Sequence, residues 1–197
     1  MTAIVDYRAG NLTSVRNAFA AIGEDACVTR DPAAIAAADR VVFPGVGAAK
    51  SAMENLRTLG LEASVREAAA SGRPFLGICL GMQILFERSD EDGGVDTLGI
   101  LKGRVRRFPS VAGFKVPEIG WNGVEWTDGN GRAVQGAEYY FVHSYYAEIV
   151  PETAGVTEYA GVRFTAMVRK GALWACQFHP EKSGRAGLAL LREWMAN

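Results

Sequence analysis

The run Phe75-Leu76-Gly77-Ile78-Cys79-Leu80-Gly81 sets one thiol between two glycines at the end of an apolar stretch. A cysteine there can serve in two ways. It can fill a core as a small hydrophobe, or it can be a nucleophile on a sharp strand-to-helix turn, where neighbours without a Cβ let the two elements pack closely. The pattern is that of the serine elbow G-x-S-x-G with sulfur in place of oxygen. A core cysteine has no need of glycine on both sides. A helix starting at Leu80 would also bring its positive end to the sulfur and favour the thiolate.

Such a thiol needs a proton acceptor, and the chain has two histidines. His179, in Ala175-Cys176-Gln177-Phe178-His179-Pro180-Glu181, ends an apolar run with a carboxylate two residues on. In an extended segment residues 179 and 181 point the same way, so Glu181 can orient the imidazole while Pro180 ends the strand. Nucleophile, base and orienter then form a triad; the alternative is a strand-end histidine beside a solvated glutamate. His143 alternates with aromatics in Phe141-Val142-His143-Ser144-Tyr145-Tyr146 and reads as a half-buried strand residue rather than the base. A zinc site drawn from Cys79, His143, Cys176 and His179 has no close pair at a typical ligand spacing, so no metal is expected. A third piece, Phe43-Pro44-Gly45-Val46-Gly47, lies at another strand end. It is either an ordinary Pro-Gly turn or a loop whose amides supply one oxyanion donor, the other being the Leu80 N–H.

These residues need a frame that brings strand ends together. "TAIVDY", "DRVVFPG" and "PFLGIC" read as buried strands. Between them "NLTSVRNAFAAIG" reads as a helix opened by Asn11 or Thr13 and closed by Gly23, and "DPAAIAAA" as one capped by Asp31 with Pro32 at its first position. A further helix is expected from about Leu80 to Glu87. Strand and helix in alternation imply a mostly parallel central sheet flanked by helices, with ligands outside the carboxyl ends of the strands. After the polar loop "SDEDGGVDTLG" the texture changes. "RVRRF", "NGVEW", "YYFVHSYYAEI", "VRFTAMV" and "ALWACQF" make a β-rich, partly antiparallel second half, followed by a last helix, "GRAGLALLREWM". With no repeat or linker, residues 1–197 read as one α/β domain.

Composition narrows the class. The chain has 197 residues, 49% hydrophobic and 22% charged, which suffices for a sizeable core. Its 21 basic and 22 acidic residues nearly cancel and form no basic stripe, so nucleic acid is not an expected ligand. No leader is expected at "MTAIVDYRAGN", and no apolar run approaches the roughly 18 residues of a membrane span, so the cytoplasm is the expected compartment. Three widely spaced cysteines, Cys27, Cys79 and Cys176, argue against a disulfide framework.

"PGVG", "GICLGMQ" and "HPE", in that order and spacing, resemble the class I (triad) glutamine amidotransferases. "DYRAGNLTSVRNAF", "FPGVGAAKSAM", "GICLGMQILFE", "LGILKGRVRRF", "VPEIGWN", "YYFVHSYY" and "WACQFHPEKSG" are similar, within that family, to the glutaminase subunits of imidazole glycerol phosphate synthases of histidine biosynthesis. Two positions depart from that pattern: Arg8 stands where glycine is usual, and Glu118-Ile119 stand for a His-Met pair. The resemblance implies a flavodoxin-like fold, no cofactor, and Cys79, His179 and Glu181 as the triad. It implies oxyanion donors from Val46 or Gly47 and Leu80. Gln83 and the Ser144-Tyr145 backbone would contact the amino-acid end of glutamine. Gln83 lies one helical turn beyond Cys79, which suits that role; by itself it reads as an exposed helix glutamine. It also implies a (β/α)₈-barrel cyclase subunit as partner, for which Asn11, Trp121, Asn122 and Lys182 are the candidate contacts. The oxyanion loop, with Gly45 and Gly47, would rest unproductively until that partner biases it. Two rivals stay open: another cysteine enzyme on the same scaffold, such as the glutaminase of pyridoxal phosphate synthase or a peptidase, and a non-catalytic binding protein with a vestigial elbow.

Overall fold

Alternating buried runs and amphipathic segments build the first half. Its elements are β1 (Thr2–Val5), α1 (Leu12–Ala21), β2 (Ala26–Thr29), α2 (Pro32–Ala37), β3 (Arg40–Gly45), α3 (Ala49–Thr58), α4 (Glu62–Ala70), β4 (Phe75–Cys79) and the single turn α5 (Leu80–Gln83). The second half holds β5 (Arg88–Ser89), β6 (Val95–Asp96), β7 (Arg104–Arg107), β8 (Glu118–Gly123), β9 (Glu125–Trp126), β10 (Glu138–His143), β11 (Tyr145–Ala147), β12 (Thr153–Tyr159), β13 (Val162–Lys170), β14 (Leu173–Cys176) and α6 (Gly184–Met195). The computed structural model describes residues 1–127 and 136–197.

Five strands run parallel in the order β2-β1-β3-β4-β14, the order of a doubly wound sheet with β14 as its fifth member. Beyond β14 the sheet turns antiparallel through β13 and β11, and β7 continues it. Inside the edge strand β2, the strands of the parallel part are buried on both faces, and their side chains alternate between two cores. Ala3, Val5, Phe43 and Phe75 face α2, α3 and α4. Ile4, Val42, Leu76 and Trp174 face α1 and α6, where Phe19 meets Trp194 edge-on with ring centroids 5.8 Å apart.

Local signals explain the helix starts. The Asn11 side chain accepts from Ser14 N at 3.4 Å, and Asp31 from Ala33 N at 2.9 Å with Pro32 behind it. Three features differ from the sequence reading. Helices α3 and α4 were not anticipated, although Ala49, Ala52, Met53 and Leu56 bury one face at helical spacing. The helix after Cys79 stops at Gln83 instead of Glu87, because the Leu85 and Phe86 amides bond three residues back, to Met82 and Gln83, and the chain tightens into β5. The run "YYFVHSYYAEI" is two strands broken at Ser144: β10 pairs antiparallel with β8 in a separate two-stranded sheet, and β11 joins the main one. None of the described helices is long and apolar enough to cross a membrane.

Candidate active site

Strands β3, β4 and β14 are neighbours, with Gly45 level with Cys79 and Cys176 level with Ile78. Their carboxyl ends therefore place the Val46-Gly47 loop, Cys79 and the segment leading to His179 side by side. Cys79 sits at the turn with φ +54° and ψ −111°, a conformation that costs of order 1–3 kcal/mol for a residue with a Cβ. The glycines make that turn possible. A Cβ on Gly81 would run into the Phe43 carbonyl of β3, and one on Gly77 would lie 3.0 Å from the Gly81 oxygen. Gly45 is equally constrained: a Cβ there would overlap the Tyr7 hydroxyl. Gly47 has open space around it and φ +92°, which only glycine adopts readily.

Cys79 is 6% exposed, on the wall of a cavity of about 410 Å³ that is also lined by Val46, Gly47, Leu80, Gln83, Glu91 and His179. As the first residue of α5, Leu80 has an N–H with no intrahelical acceptor. Since α5 is one turn long, it brings the sulfur fewer aligned peptide dipoles than the longer helix anticipated from sequence. His179 Nδ1 lies 2.8 Å from Glu181 Oε1, with both side chains 2% exposed. Burial by itself draws the imidazole pKa down. The neighbouring Cys79 sulfur and the Glu181 carboxylate outweigh it and lift the pKa to about 10. His179 Nε2, the nitrogen on the other side of the ring, is buried without a well-aligned partner. The turn that holds the ring is fastened by Ser183, whose hydroxyl donates to His179 O at 2.6 Å and accepts from Tyr140 N at 3.0 Å.

The remaining expected site residues divide. Gln83, Ser144 and Tyr145 line the same cavity, but their polar atoms are partly committed. Ser144 O accepts from Phe108 N, and Tyr145 O accepts from Gln83 Nε2 at 2.7 Å. Gln83 is buried, not the exposed helix glutamine that its spacing alone suggests. Among the candidate contact residues, Trp121 is 55% exposed and stacks edge-on with Tyr140, over whose ring Lys182 Nζ sits at 5.6 Å. Asn11 caps α1, which packs against the Pro180–Lys182 turn. Asn122 turns inward instead: its amide donates to Glu118 Oε1 at 2.9 Å and to Glu158 O at 3.0 Å.

Two residues of the site, Glu91 and Gln177, escaped the sequence reading, and His143 departs from it. Glu91, from the polar loop after α5, caps α3 by accepting from Ala49 N at 2.6 Å and lines the cavity. Burial lifts its carboxyl above the ordinary range, opposed by the Ala49 N–H and assisted by the Asp92 charge. Gln177, fully buried, accepts from Gln83 Nε2 at 3.0 Å and approaches Cys79 Sγ. His143 is buried, not half-buried, and faces Glu118 at 3.1 Å across the β8–β10 pair. Its Nδ1 lies 2.8 Å from Tyr145 O, and the rings of Phe108, Phe141 and Phe164 surround it. No group of three or more His, Cys, Asp or Glu able to hold a metal occurs among the described residues.

A family model described as glutamine amidotransferase class-I matches residues 3–196. The imidazole glycerol phosphate synthase subunit HisH of Herpetosiphon aurantiacus is 47% identical over 202 residues, covering 99% of this chain and 93% of that protein. The subunit of the same name from Symbiobacterium thermophilum is 50% identical over 208 residues, covering 97% and 91%. A crystal structure titled as a glutamine amidotransferase superposes with a TM-score of 0.76 at 20% identity, covering 98% of this chain and 97% of that one.

Proposed function

The chain belongs to the class-I glutamine amidotransferase family, and we propose that it is the glutaminase subunit of an imidazole glycerol phosphate synthase, releasing ammonia from L-glutamine for a second subunit. The observation that carries the chemistry is the Cys79 elbow abutting His179, itself fixed by Glu181, at the wall of one cavity. The choice of synthase rests on relatives 47–50% identical over nearly the whole chain.

In this reading the Cys79 thiolate attacks the carboxamide carbon of glutamine. The oxygen that becomes negative is met by the Leu80 N–H and by Val46 or Gly47. His179 gives its proton to the departing nitrogen, ammonia leaves, and a γ-glutamyl thioester remains. Water, losing a proton to the same imidazole, then hydrolyses the thioester to glutamate and frees the thiol. Both hydrogens of Gln83 Nε2 are spent internally, so its Oε1 is left to accept from the α-ammonium of glutamine, in a cavity that Glu91 also lines. The Ser144-Tyr145 carbonyls are likewise committed, which leaves N–H groups as what that backbone offers a ligand.

Free ammonia serves as a nitrogen source only if it is delivered. We assign delivery to a (β/α)₈-barrel cyclase subunit in the cytoplasm, docked over Trp121 and Lys182. It would combine ammonia with a phosphoribulosyl-formimino intermediate to form imidazole glycerol phosphate and an aminoimidazole carboxamide ribotide. Gly47 has the room to let the oxyanion loop rest unproductively until this partner binds. In the assembled synthase Cys79→Ala should abolish glutamine-dependent product formation and leave ammonia-dependent formation intact. Failure of ammonia to rescue it would end this division of labour.

A further inference from the structure

The oxygen and nitrogen of a side-chain amide are told apart by their partners, and around Cys79 the partners leave no choice. The Tyr145 carbonyl can only accept, so the Gln83 atom 2.7 Å from it is the nitrogen. The second hydrogen of that nitrogen points at Gln177, whose facing atom, 3.0 Å away, is therefore the oxygen. Gln177 must then turn its own NH₂ the other way, and that nitrogen lies 3.8 Å from Cys79 Sγ. An apolar side chain would occupy this fully buried position without the desolvation cost of an amide. A thiol is a weak acceptor, whereas a thiolate is a charged one, so this contact strengthens when the sulfur ionises.

We propose that Gln177 is a positioning residue for the nucleophile: its amide, aimed by Gln83 and through it by the Tyr145 carbonyl, holds the ionised Cys79 sulfur in line for attack. The proposal rests on the glutaminase reading given above. It adds a donor to the sulfur that is distinct from His179 and is set in place by strand β11.

The test uses the full chain assembled with its synthase partner, assayed for glutamate formation, with carbamidomethylation of Cys79 by iodoacetamide followed on the Cys79 peptide. Gln177→Met keeps the volume and removes the donor; it should lower kcat about tenfold with KM within about threefold, and slow labelling in proportion. Gln177→Glu keeps the acceptor for Gln83 but turns a carboxylate oxygen toward the sulfur, and should be slower than Gln177→Met in both assays. A residue that merely filled space would leave Gln177→Met near wild type, because methionine keeps the volume. Gln177→Met within about twofold of wild type in kcat and labelling, or Gln177→Glu faster than Gln177→Met, would overturn the proposal. Were Gln177→Met not to fold, Gln177→Leu, which equally lacks a donor, decides on the same twofold criterion. Were the wild-type complex to form no glutamate, the functional reading would fail by itself, and the labelling comparison would still report on Gln177.

Discussion

Glu118 and His143 make the sharpest quantitative prediction because the pair is closed off from water and has a natural apolar replacement. Their side chains are 4% and 3% exposed, and Asn122 and the Tyr145 carbonyl supply the other polar neighbours. Since a carbonyl only accepts, His143 Nδ1 carries a hydrogen. Nε2 lies 3.1 Å from the Glu118 carboxyl. Removing Glu118 strands His143 among phenylalanine rings, and removing His143 leaves Glu118 buried without its ring partner, at a cost of about 3–5 kcal/mol. For a chain of this length about 1 kcal/mol moves Tm by about 2–4 °C, so Glu118→Leu or His143→Phe alone should lower Tm by about 6–20 °C. Replacing both, Glu118→Leu with His143→Phe, removes the desolvation penalty together with the pair and should lie near wild type or above it. The bond lost from Tyr145 O costs only about 1 kcal/mol, because Gln83 still donates to that carbonyl. Urea denaturation of the four proteins gives the cycle directly. A single variant costing less than about 1 kcal/mol, or a double variant as unstable as the sum of the singles, refutes the reasoning.

Further consequences follow from other parts of the site. Gly81→Ala drives a methyl into the Phe43 carbonyl and should cost about 2 kcal/mol or more together with glutaminase activity, while Gly123→Ala, which meets nothing within 4 Å, stays within about 0.5 kcal/mol; equal denaturation midpoints for the two would contradict this. The raised pKa of His179 is a stability statement. Its contribution is complete below the ordinary value of 6.5 and disappears as pH climbs through about 10, so wild type should lose stability across that interval and His179→Gln much less. Parallel slopes for the two proteins would remove the linkage. Alanine at Trp121 and Lys182 should weaken assembly and lower partner-stimulated glutamate formation; intact assembly and stimulation would show that the partner subunit docks elsewhere.

The parts legible in the sequence are those whose cause is local. Asn11 and the Asp31-Pro32 pair announce helix starts within three residues of themselves, and β3 and β4 show as unbroken apolar runs. The glycines around Cys79 likewise declare a close approach, though not that the close neighbour is Phe43. What stayed hidden depends on distant partners. Hydrophobic alternation continues smoothly through Ser144, so nothing local marks where the strand leaves one sheet for another. Glu91 stands in a polar loop that looks solvated, and only the fold carries it to the first amide of α3. Gln177 looks like one more residue of a strand until β4 is laid beside β14.

The pairing of β14 with β4 also orders events in time. The elbow is complete once residue 81 has been made, whereas the base proposed for it is residue 179, on the segment that follows the fifth parallel strand. A chain leaving the ribosome thus carries the thiol through nearly half of its synthesis before the proposed base, His179, is made. In the proposed mechanism, glutamine hydrolysis cannot start before β14 slots between β4 and β13.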